Sequence, residues 1–150
     1  MTEFNFDNEQ EDQMNVLELV EQYEQASKAG HLSYFDEEAY ETIIEYYENK
    51  GQFEYALDVS VKSLIQYPYS SILLLKKAQV HFELKQLHLA LEILDKAELY
   101  DSSEIGIYML RAEIFAFQSQ YAEAVELLKK TTKTADKEDL PDIYLQLCDV

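Results

Sequence analysis

The groups in this 150-residue chain that could do chemistry are three histidines, one cysteine and thirty acidic side chains. His31, His81 and His88 show neither the His-Glu-x-x-His spacing of a helical zinc site nor the Cys/His spacing of a tetrahedral one. His81 falls at an aromatic packing position, which suits a core histidine, and His88 sits where a solvated side chain is expected. Cys148 has no base placed to activate it and reads as a small packing residue. Acid pairs such as Glu37-Glu38 are abundant, but a working pair needs environments that drive two pKa values apart. Exposed helix faces do not provide that. Three glycines cannot supply a phosphate-cradling loop. Twelve tyrosines could stack on single-stranded bases, yet basic residues do not accompany them, and core and connector roles explain the rings better. No catalytic residue, metal or cofactor is expected.

What must position these side chains is a set of helices that repeats. Residues 37–70 read as two amphipathic helices around a turn at Asn49-Lys50-Gly51-Gln52, closing on Pro68. Tyr40, Ile43, Ile44 and Tyr47 stripe the first helix; Phe53, Ala56, Leu57 and Leu64 stripe the second. Glycine suits the left-handed position after a helix, and proline ends one by lacking an N–H. The pattern then recurs twice at a step of 34 residues: Ala56, Ala90 and Ala124; Phe53, Leu87 and Tyr121; Tyr40, Leu74 and Tyr108; Ile44, Ala78 and Ala112; Tyr47, His81 and Phe115. Large residues follow large and small follow small, with Ser63, Ala97 and Thr131 near the end of each unit. A lone helical hairpin cannot bury both faces, so such units must stack.

These residues resemble the tetratricopeptide repeat (TPR): a bulky residue, a small one four later, an aromatic, then alanine, aromatic, alanine and proline. The resemblance covers residues 37–138 as three units and continues faintly into the last ten. Ile44 stands where the family has glycine or alanine, Ser60 where it has a bulky residue, and Ser102 and Asp136 replace the proline in the second and third units. The resemblance implies an all-α fold, a right-handed α-solenoid of antiparallel helical hairpins. It also implies a concave groove lined by the first helix of each hairpin through its second, fifth, ninth and twelfth positions. Carried over, those positions are Glu38, Glu41, Glu45 and Glu48; Ile72, Leu75, Gln79 and Phe82; and Gly106, Met109, Glu113 and Ala116. An acidic stripe would lead into an apolar patch. TPRs that clamp acidic chaperone tails use lysines and asparagines there; Glu41 and Glu45 carry the opposite charge, which disfavours that ligand class.

The charge is uneven as well as large. Thirty acids against twelve bases give −18; residues 1–60 hold sixteen acids and two lysines, and residues 61–150 hold fourteen acids and ten bases. Such a field repels nucleic acid and anionic membranes and favours basic partners. One cysteine rules out an intramolecular disulfide. The acidic start is unlike a secretory signal, and no stretch approaches the roughly 20 apolar residues that span a bilayer. A cytoplasmic protein is expected.

In chain order, residues 1–9 are expected to be disordered, and residues 10–36 to form a capping helix and connector, with Gly30 as stop and Asp36 as N-cap of the next helix. Units follow at 37–70, 71–104 and 105–140, the last helix of the third running to about Thr134. Residues 141–150 open a partial fourth unit, with Pro141 in its first turn. Seven main helices are expected, as a cap, three hairpins and a lone C-terminal helix. That helix would leave Leu145 and Cys148 without a second helix to pack on, so either the natural chain continues or this end self-associates. The function expected is a non-enzymatic interaction scaffold holding a basic or amphipathic segment of another protein. Two alternatives are the regulatory TPR part of a longer enzyme or signalling protein, and an acidic nucleic-acid mimic.

Overall fold

The computed structural model describes residues 3–31 and 34–150. Its helices are α1 (Glu3–Lys28), α2 (Glu37–Asn49), α3 (Phe53–Gln66), α4 (Ser71–Glu83), α5 (Leu87–Tyr100), α6 (Ile105–Phe117), α7 (Tyr121–Thr131) and α8 (Leu140–Asp149), and no strand occurs among the described residues. The expected count of seven is one short, because a cap, three hairpins and a terminal helix make eight. Helix α1 starts at Glu3 rather than near Gln10, so residues 3–9, expected to be disordered, are helical. Part of the expected connector, Leu32-Ser33, and Met1-Thr2 lie outside the described residues. No described helix is long and apolar enough to cross a membrane.

Three hairpin turns share one hydrogen-bond pattern. In the first, the Gly51 N–H donates to the Glu48 carbonyl (2.9 Å) and the Gln52 N–H to the Tyr47 carbonyl (2.8 Å). The second repeats this with Lys85 to Phe82 (2.9 Å) and Gln86 to His81 (2.9 Å), the third with Ser119 to Ala116 (2.9 Å) and Gln120 to Phe115 (2.8 Å). This is the Schellman closure, which requires a left-handed residue just past the helix. Gly51 (φ 67°), Lys85 (φ 61°) and Ser119 (φ 62°) supply it. Glycine is therefore dispensable for the geometry, and its absence costs energy rather than the fold.

The chain forms two compact units, residues 1–67 and 68–150. In the first, α2 and α3 bury Tyr40, Ile43, Ile44 and Tyr47 with Ala56 and Val59. Ser60 and Ser63 are fully buried too, their hydroxyls donating to the Leu57 and Ser60 carbonyls of their own helix (2.8 Å each). Back-bonding of that kind lets a serine occupy a core position at which a bulky residue was expected. The Asp36 carboxylate caps α2, accepting from the Ala39 N–H at 2.8 Å. Helix α1 lies against this hairpin. The Tyr23 hydroxyl donates to Asp58 (3.3 Å) and that of Tyr47 to Glu24 (3.0 Å), while Lys62 reaches Ser27 (3.1 Å) and Asp58 (2.6 Å). Tyr23, Phe35, Tyr40 and Tyr67 follow one another at ring separations of 6.1, 5.6 and 6.3 Å.

In the second unit α4 packs on α5 and α6, and α7 on α6 and α8. In the second hairpin Leu73, Leu74 and Ala78 of α4 and Ala90, Leu94 and Ala97 of α5 are all nearly or fully buried. Ala112, Ala124, Leu128 and Ile143 form the core of the third, with Ile143 of α8 closing it. Helix α7 stops at Thr131 rather than Thr134, because the Thr132 and Thr134 hydroxyls bond nearby carbonyls and the chain tightens into turns. Pro141 sits in the first turn of α8.

Candidate interaction surface

In the first unit, Tyr40, Ile43, Ile44 and Tyr47 turn one side of α2 into the core, and Glu38, Glu41, Glu45 and Glu48 run along another at steps of three and four residues. That spacing places four carboxylates in one row. Glu38 and Glu45 are exposed, Glu41 and Glu48 half-buried. Lys50, just past the helix, sits with its ammonium 4.8 Å from the centre of the Tyr46 ring.

In the second unit the candidates divide. Ile72 is exposed at 37%, and Gln79 and Met109 are half-buried. Leu75 and Phe82 are largely buried, with 7% of each exposed. The physical reason lies on α6. Gly106 has no Cβ, and one built there would stand 2.5 Å from Leu75 Cδ2, so Leu75 fills the space the glycine leaves. Phe82 meets Phe117 edge-to-face, with centroids 5.8 Å apart and planes at 83°. Met109 and Ala116 take part in the third hairpin's core, and the Met109 carbonyl accepts from the Gln146 amide at 2.8 Å.

Phe117 and Lys85 are residues the sequence reading missed. Phe117 is 54% exposed and stands one repeat step after Glu83. Lys85 projects from the left-handed turn position so that its ammonium lies 5.3 Å from the Phe82 ring centre and 4.8 Å from that of Phe117. A lysine where the first unit has glycine, and an aromatic where another repeat has an acid, were the available signals. Glu113 lies nearby: loss of solvent, then the charge of Glu83, push its carboxyl above the usual range, and Lys85 partly opposes this.

Several other titratable groups have structural partners. His81 is buried, its Nδ1 2.6 Å from the Gln86 side-chain oxygen, and the exposed His88 pairs with Glu92 at 3.1 Å. Arg111 bridges Asp95 (2.9 Å) and Glu98 (2.8 Å). Cys148 is exposed rather than packed, as are Tyr144 and Leu145 at 54% and 64%, because among the described residues α8 has only Ile143 fully buried. Among the described residues no three His, Cys, Asp or Glu side chains cluster to hold a metal ion. A cavity of about 150 Å³ lies between α1 and its hairpin beside Tyr23, His31 and Lys62, and a polar cleft of about 540 Å³ runs past Tyr108, Lys130 and Thr134.

Neither the family models nor the curated proteins contain a match to this sequence. Solved structures do match. The TPR2B domain of yeast Sti1, in a complex with pHsp70, is 19% identical with a TM-score of 0.64, covering 73% of this chain and 91% of that one. MamA is 15% identical with a TM-score of 0.59, and the match covers 73% of this chain and 63% of MamA. The chain thus spans under two thirds of MamA's length.

Proposed function

From a TPR-like repeat fold as premise, we propose that this chain is a protein–protein interaction scaffold holding a basic or amphipathic segment of another protein on the first helices of its hairpins. The observation that carries this is the row of Glu38, Glu41, Glu45 and Glu48 along one side of α2. A row of carboxylates along one helix face favours a cationic over an anionic ligand. The net charge of −18 adds long-range attraction for the same ligand class. A similar structure, the TPR2B domain of yeast Sti1 in a complex with pHsp70, supports the general mode of binding another protein. In the second unit, Ile72 and Met109 are the apolar side chains best placed for contact, since Leu75 is held beneath Gly106. Within this reading the protein acts by binding and works where proteins, rather than phosphates or lipids, are the partners.

The test is capture of a basic amphipathic peptide and of cellular partners by the intact chain. Glu41→Lys with Glu45→Lys should abolish capture while the far-UV circular dichroism stays unchanged, and wild-type capture should weaken with salt. Ile72→Asp should weaken it separately, with little effect on folding because the side chain is exposed. Leu75→Asp would confound the test, because it places a charge in a buried site. Full capture by both variants would place the binding site elsewhere.

A further inference from the structure

We propose that Phe82, Phe117, Glu83 and Glu113 form a subsite for one lysine or arginine side chain of the bound segment, and that Lys85 of the chain itself occupies it in the unliganded protein. The inference rests on the scaffold reading above and concerns the second unit by itself. Two aromatic rings set edge-to-face at 5.8 Å, one more than half exposed, make a poor surface on their own but a good seat for a cation. The seat is filled: the Lys85 ammonium lies within 6 Å of both ring centres, at 5.3 and 4.8 Å. Glu113 lies close enough to the Lys85 ammonium that Lys85 draws its carboxyl down, against loss of solvent and the charge of Glu83, which push it up.

Lys85 is an unusual occupant. It stands at a left-handed position that glycine fills in the first hairpin, so the backbone is strained to put a lysine there. Its side chain is exposed and hangs from a turn rather than from a packed helix face, so an incoming cation displaces it without disturbing the core. A guanidinium stacks on rings better than an ammonium does, which favours arginine in the ligand. Lys85 thereby sets a threshold: a segment must offer a cation able to outcompete a tethered one.

The experiment is isothermal titration of the full chain with a synthetic amphipathic peptide of alternating leucine and arginine character. Lys85→Met keeps the aliphatic stem and removes the competing charge, and should tighten binding about threefold to fivefold. Phe117→Leu keeps apolar bulk and removes the ring face, and should weaken it by a similar factor. Lys96→Met, an equal change in net charge at an exposed site on α5, should alter affinity much less. Equal tightening by Lys85→Met and Lys96→Met, or no effect of either Lys85→Met or Phe117→Leu, overturns the subsite. In that case loss of binding in Glu41→Lys with Glu45→Lys leaves the scaffold reading standing. Failure of the wild-type chain to bind the peptide overturns both.

Discussion

Replacing Ser119 by glycine should stabilise the third hairpin by about 0.5–1 kcal/mol, although the change deletes atoms and adds no contact. Ser119 is held at φ 62° by the closing bonds of the α6–α7 turn. A left-handed conformation costs an L-residue about 1–2 kcal/mol, and the greater freedom of glycine in the unfolded chain returns about 0.5–1 kcal/mol of that. The mirror experiment uses Gly51, at φ 67° with nothing within 4 Å of an added Cβ. Gly51→Ala should therefore cost about 1 kcal/mol through backbone conformation alone. Lys85→Gly relieves the same strain but removes the cation from the Phe82 and Phe117 rings, a contact of about 0.5–1 kcal/mol, so the two effects should nearly cancel. Urea unfolding followed by circular dichroism is the assay. With a slope of about 1–3 kcal/mol per molar urea, a 1 kcal/mol change moves the midpoint by about 0.3–1 M. A neutral or destabilised Ser119→Gly together with a neutral Gly51→Ala would show that the left-handed turn position carries no cost, contrary to everything argued from it.

Two further outcomes are expected. Because the carboxyl of Glu113 is raised in the folded state, folding takes up a proton above the ordinary carboxylate range, and stability should increase as pH falls toward that range; Glu113→Gln should flatten this slope in urea midpoints measured between neutral and mildly acidic pH, and an unchanged slope would remove Glu113 as its source. Ser60→Leu, which installs the bulky residue expected from the repeat pattern, should destabilise the first unit by about 1–3 kcal/mol by overpacking a fully buried site, and a raised thermal midpoint would show instead that the site has room.

The hairpins were legible because their information is local and repeated. Gly51 marks one turn directly, and the 34-residue step carries that mark to Lys85 and Ser119, whose types alone would not announce a left-handed residue. Asp36 and Pro141 were readable for the same reason, since capping and first-turn roles depend on immediate neighbours. The length of α1 was not, because the polar stretch over residues 3–9 has no apolar periodicity to mark it as helical. At the candidate surface, the spacing of Glu38, Glu41, Glu45 and Glu48 puts them in one row in any helix, and the structure keeps them so. The covering of Leu75 and Phe82 is not legible in α4 itself, because Gly106 and Phe117 beside them lie a hairpin away in sequence. Neither helix reveals alone which residues of α4 lie under α6.

The three closing turns bear on how such a chain diversifies. One backbone geometry is met by glycine, lysine and serine, so the residue just past each first helix is a socket whose contents change without rewiring the hairpin. The residue there is exposed in all three turns. An engineer could therefore graft a charged or reactive group at Gly51 or Ser119 for roughly the conformational penalty Lys85 already carries. Each socket sits 34 residues along the chain from the next, so the same graft can be repeated from hairpin to hairpin.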